Sequence, residues 1–191
     1  MLVGSLVVAA IASLAIGYAI AQSNNSATST SRPAATVDDT GDGIPDPPSI
    51  ETNAVVKGTP LPDVSVATLD GTEVALSSLV GQPLVINVWG STCVPCRKEL
   101  PDFAAAHLVY GDRVRFVGVS FLPPSDREEQ FARDRGVQYE LYYDATGEFV
   151  NDVGIAAFPV TLFVLDDGSV VEQRGQLNEQ QLVDLIESEL L

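Results

Sequence analysis

Cys93 and Cys96 are the only cysteines of the chain, with Val94 and Pro95 between them. A hydrophobic run, Leu84-Val85-Ile86-Asn87-Val88-Trp89, leads in and reads as a buried strand. A helix-compatible run over residues 97–109 leads out. Strand, tight turn and helix place Cys93 at or just before a helix N-terminus, where unpaired backbone N–H groups and the macrodipole favour an anion. A thiol there ionises more readily, and the thiolate is the reactive form. Cys96 follows about one helical turn later, close enough to close a disulfide with Cys93. The pair reads as a dithiol/disulfide redox centre.

Other uses of these residues fit worse. A structural zinc site needs about four Cys/His ligands, whereas the chain holds two cysteines and one histidine, His107. A c-type haem attachment motif wants His directly after the second cysteine, and Arg97 stands there. No metal and no bound cofactor is expected; the redox group is the Cys93–Cys96 pair itself. His107 is eleven residues past Cys96, about 16 Å along a helix and too far for proton transfer. It reads as packed or solvated.

The elements that must position the pair follow from patterns elsewhere in the chain. Residues 64–68 and 72–76, joined at Asp70-Gly71, read as a hairpin, and residues 77–81 as a helical turn ended by glycine. Residues 114–120 are a second buried strand, and residues 126–135 a polar helix opened by Ser125 or Asp126. Residues 139–143 suggest a short strand and 146–153 a short helix. Residues 160–165 and 170–173 form a hairpin across Asp166-Asp167-Gly168-Ser169. Asn178 caps a final amphipathic helix with Leu182, Leu185 and Ile186 on one face. Alternating strands and helices closed by a hairpin and a helix predict an α/β domain with a mixed sheet.

Residues 2–21 carry no charge, and about 20 helical residues span the ~30 Å of a bilayer core. Ala19-Ile20-Ala21 resembles a signal cleavage site, but the apolar run exceeds the usual 7–15 residues of a signal core. Residues 1–21 are therefore expected to be a retained transmembrane helix, with secretion after cleavage as the alternative. Arg32 is the first basic residue, so the positive-inside signal is nearly silent. The globular part is placed outside the cytoplasm, where an exported cysteine pair is the more economical reading.

Residues 22–57, rich in Ser, Thr, Asn, Ala, Pro and Asp, read as a flexible, disordered acidic linker. It would give a reach of roughly 30–35 Å. Residues 58–191 are then the folded domain. Within the linker, residues 38–46 (DDTGDGIPD) resemble the calcium loops of thrombospondin type 3 repeats. Thr40 and Gly41 disturb the alternation of ligands, and an acidic linker is the simpler account. The net charge of −16, with only Lys57 and Lys98 as lysines against eight arginines, argues against nucleic acid and anionic lipid headgroups as partners. It suits a high-salt environment or ordinary acidic solubility equally.

The run WGSTCVPCRKELP, residues 89–101, resembles the active site of the TlpA/ResA group, the membrane-anchored thiol–disulfide oxidoreductases with a thioredoxin-like fold. The resemblance runs from about residue 61 to the C-terminus. Phe158-Pro159-Val160-Thr161 falls where thioredoxin-like folds carry their cis-proline, and Pro101 matches their helix-kinking proline. It implies a thioredoxin-like three-layer sandwich around a central mixed β-sheet. It implies Cys93 as attacking and Cys96 as resolving thiol, supported by Trp89, Pro95, Glu99 and Pro159. Pro159, lacking an N–H, would leave neighbouring backbone free to pair with an extended substrate. Glu99 matches a family acid near the cysteines that raises the thiol pKa; read alone, it is equally a solvated helix-surface glutamate. Asn87 stands where thioredoxin carries a buried aspartate, and Thr92 where it carries tryptophan.

The function so implied is an extracytoplasmic thiol–disulfide oxidoreductase that reduces disulfides in exported proteins, apocytochrome c among them. A membrane thiol donor would recharge it. The alternatives are a disulfide oxidase or isomerase, a non-catalytic binding domain on the same fold, and a peroxide reductase of the peroxiredoxin kind. That last chemistry wants Thr or Ser three residues before the reactive cysteine, where this chain has Gly90.

Overall fold

The computed structural model describes residues 52–191. The expected transmembrane helix, most of the expected linker and its acidic 38–46 motif lie outside the described residues. Seven strands form one sheet: β1 (Ser65–Ala67), β2 (Glu73–Ala75), β3 (Leu84–Trp89), β4 (Arg115–Ser120), β5 (Glu140–Tyr143), β6 (Val160–Val164) and β7 (Val170–Arg174). Their order across the sheet is β2-β1-β5-β4-β3-β6-β7. Strands β3, β4 and β5 run parallel, and the remaining pairings are antiparallel. The sheet is mixed, as the alternation of elements predicts.

Every residue of β3 and β6 is buried, which is why both strands read as hydrophobic runs, broken only by Asn87 and Thr161, rather than alternating ones. Their side chains divide between two cores. Val85, Trp89 and Phe163 face helices α1 (Val94–Tyr110), α2 (Asp126–Arg133) and α4 (Glu179–Leu185), with the π-helical Ile186–Leu190 after it. Leu84, Ile86, Val88, Val160, Leu162 and Val164 face the 3₁₀ turn Leu76–Leu79 and helix α3 (Glu148–Val153). Helices on both faces of the sheet give the three layers of a thioredoxin-like fold.

Helix α1 begins at Val94, earlier than the expected residue 97, because Cys93 itself is the N-cap and Pro95 sits in the first turn, where a missing N–H costs nothing. Pro101 lies inside α1. Ser125 caps α2, and Asn178 caps α4 in a capping box with Gln181.

The described chain begins before residue 58. Residues 53–61 form a strap whose first residues meet residues 154–157 and whose residues 56–61 run along β7, otherwise an open sheet edge. The N–H of Gly58 donates to Val170 O at 2.7 Å, Val170 N–H to Thr59 O at 2.9 Å, and Leu61 N–H to Gly168 O at 2.9 Å. The Val56 N–H donates to Gln173 Oε1 at 3.1 Å, and Lys57 Nζ meets Glu172 Oε2 at 2.8 Å. Covering an edge satisfies backbone groups that would otherwise template aggregation. Composition hides the strap because backbone and polar groups supply most of its hydrogen bonds, with only Val56 and Leu61 packing against the core.

Candidate active site

Cys93 and Cys96 form a disulfide with Cα atoms 5.3 Å apart. The Cys96 N–H points at Cys93 Sγ, 3.2 Å away, so the first-turn donor of α1 faces the sulfur that would carry charge on reduction. Cys96 is wholly buried, whereas Cys93 is half-buried. An incoming sulfur can reach only Cys93.

Glu99 lies one helical turn beyond Cys96 on the same face of α1, and it is fully buried. This overturns the reading of a solvated surface glutamate: α1 presents this face to the sheet. Asn87 Nδ2 on β3 donates to Glu99 Oε1 at 2.7 Å, and the Leu177 N–H donates to Oε2 at 3.2 Å. Burial pushes the carboxyl up to about 8, against the pull of these two hydrogen bonds. A protonatable acid thus sits beneath the disulfide, and its partner is the asparagine at the position of thioredoxin's aspartate.

The loop between β3 and α1 is held by a residue the sequence did not single out. Glu128, on α2 and 3% exposed, accepts through Oε2 from the Ser91 N–H and from the Ser120 hydroxyl, each at 3.1 Å. Ser120 Oγ in turn accepts from the Leu122 N–H at 3.1 Å. Glu128 occupies the capping-box position after Ser125, whose Oγ accepts its N–H. Its carboxylate reaches the cysteine loop rather than returning to the cap. The box pattern was the only sequence signal, and it pointed to a local role.

The other expected residues fall around the pair. Trp89 is fully buried in the same core as Cys96, with its ring stacked on Phe131 at 6.2 Å. Pro95 lies half-buried between the cysteines. The Phe158–Pro159 bond is cis. The pairing of Val88 with Val160 brings Pro159 to the end of β3 from which the cysteine loop departs. Phe158 stacks on Phe121 at 4.0 Å, and Phe121 lies so close to Gly90 that a Cβ there would stand 2.6 Å from its ring. Val94 is 59% exposed. The rim is apolar, although Thr92 replaces the tryptophan of thioredoxin. His107 packs edge-on between Phe116 and Tyr139, at 5.5 and 5.4 Å, and its burial disfavours the charged form. Among the described residues no group of three or more His, Cys, Asp or Glu could hold a metal.

The sequence profile of the AhpC/TSA family matches residues 57–173. The chain belongs to the AhpC/TSA family. Within it, the chain is similar to the thiol–disulfide oxidoreductase ResA of Geobacillus thermodenitrificans, 26% identical over 72% of this chain and 80% of the relative. It is also similar to the thioredoxin-like protein YneN of Bacillus subtilis, 29% identical over 62% of this chain and 70% of that one. Among solved structures, a putative protein disulfide isomerase from Bacteroides thetaiotaomicron superposes with a TM-score of 0.64. It is 26% identical and covers 73% of this chain and 92% of its own. This AhpC/TSA member has a thioredoxin-like fold with a Cys-x-x-Cys disulfide and is a thiol–disulfide oxidoreductase.

Proposed function

We propose that this protein reduces disulfides in exported proteins, apocytochrome c among them. It does so outside the cytoplasm, held at the membrane by residues 1–21 and recharged by a membrane thiol donor. The observation that carries the reading is the unequal exposure of the two sulfurs. In the reduced protein the Cys93 thiolate attacks a substrate disulfide, forms a mixed disulfide and expels one substrate thiolate. The Cys96 thiolate then attacks Cys93 Sγ and expels the second. Two electrons pass to the substrate, its two thiolates take up protons, and Cys93–Cys96 is left oxidised. Glu99, one turn from Cys96, is the nearby buried acid against which the Cys96 thiol must lose its proton. Pro159 offers backbone free of an N–H to an extended substrate chain. With one cysteine pair the protein cannot reduce itself, so an external dithiol closes the cycle.

The name thiol–disulfide oxidoreductase among the relatives fits either direction, while the isomerase name of the structural neighbour favours oxidation or isomerisation. A reduction potential near −270 mV supports a reductase and one near −120 mV an oxidase. Peroxide reduction is disfavoured by a specific contact: a side chain at Gly90 would run into Phe121. No helix among the described residues is long and apolar enough to cross a membrane, so the proposed anchor rests on residues 2–21 alone.

Insulin reduction tests the proposal. The wild type should precipitate insulin chains with dithiothreitol as donor, and Cys93→Ser should not. The Cys96→Ala variant should accumulate a mixed disulfide with its substrate, identifiable by mass spectrometry. A wild type no faster than Cys93→Ser would overturn the reductase reading.

A further inference from the structure

We infer that Asn53, at the start of the strap, is a positioning residue for the substrate-facing cis-proline loop. Its side chain is buried, with 7% exposed. Asn53 Oδ1 accepts from the N–H groups of Ala156 and Ala157, both at 2.7 Å, and Nδ2 donates to Ala157 O at 3.0 Å. One amide thereby engages three backbone groups of the two residues that directly precede Phe158 and cis-Pro159. The adjoining Ala54 N–H donates to Gly154 O at 2.9 Å. Gly154 admits this approach only because it lacks a side chain: its φ is +70°, and a Cβ would lie 2.5 Å from that of Ala54.

The consequence is specific to large substrates. A protein disulfide must lay its chain along Phe158 and Pro159, so its binding depends on where that loop sits. A small aromatic disulfide needs only the Cys93 sulfur. Loss of the amide leaves buried backbone groups unpaired, and the loop shifts while α1 and the disulfide stay in place.

This inference rests on the reading of protein disulfides as substrates, and the test separates the two. The full chain is compared as wild type, Asn53→Ala and Asn53→Asp, with insulin and with 5,5′-dithiobis(2-nitrobenzoate). Asn53→Ala should raise KM for insulin about fivefold or more with kcat changed less than about twofold. Its rate with the small disulfide and its reduction potential should match the wild type. Asn53→Asp keeps both N–H acceptances and should recover most of the KM; should the alanine variant fail to fold, its own insulin-to-small-disulfide ratio decides. Equal losses on both substrates, or no loss on either, overturn the inference. A wild type inactive on insulin overturns the functional reading, and this inference with it.

Discussion

Burial favours the protonated form of Glu99, and this links stability to reactivity. Its carboxyl titrates near 4.5 when free and near 8 in the fold. Folding therefore takes up a proton between those values. The contribution is complete below pH about 4.5 and is lost as pH rises through 8, an effect on the order of a few kcal/mol. Glu99→Gln should remove this slope: the stability difference between variant and wild type, followed by urea titration from pH 5 to 9, should grow in the variant's favour up to about pH 8 and then level off. A constant difference would place the titration elsewhere. The same substitution should shift the pH dependence of Cys96 in single-turnover exchange, because the Glu99 carboxylate that forms as pH rises through about 8 opposes thiolate formation. An unchanged thiol titration would dismiss Glu99 from the chemistry.

Among the elements, α2 is more than a solvated cover. Its Glu128 ties the Ser91 N–H of the cysteine loop to Ser120 at the end of β4. Truncation to alanine strands both donors and should cost about 1–3 kcal/mol in a denaturant titration. Glu128→Gln keeps an acceptor and should lose less. Exchange by Cys93 should slow in the alanine variant, since the N–H that aims the loop is released; equal stability of the two variants would remove the latch. The helix cap at Ser125 was legible because caps act over three residues. The latch was not, because Ser91 and Glu128 are 37 residues apart.

At the scale of the molecule, charge is the dominant feature. The chain carries −16, and the described residues form four side-chain ion pairs, two of them sharing Glu172. With so few pairs, repulsion among the remaining carboxylates is expected to dominate, and salt screens it over a Debye length of about 10 Å at 0.1 M. Raising KCl from about 0.05 to 1 M should lift the thermal midpoint by several degrees. A fall would mean that the ion pairs, not the repulsion, set the electrostatic balance.

The place of the cis-proline was implied by the family resemblance, whereas the residues by themselves announced the Cys-x-x-Cys centre, the buried central strands, the hairpins and the caps of α2 and α4. Each of these is written within a few neighbouring positions, through periodicity, capping or turn chemistry. Folding alone revealed that Glu99 is buried against Asn87 and Leu177, that Glu128 holds the cysteine loop, and that Asn53 reaches Ala156 and Ala157. These contacts join residues up to 104 positions apart. Their partners are chosen by which faces the sheet brings together, and no local pattern of residue types records that choice.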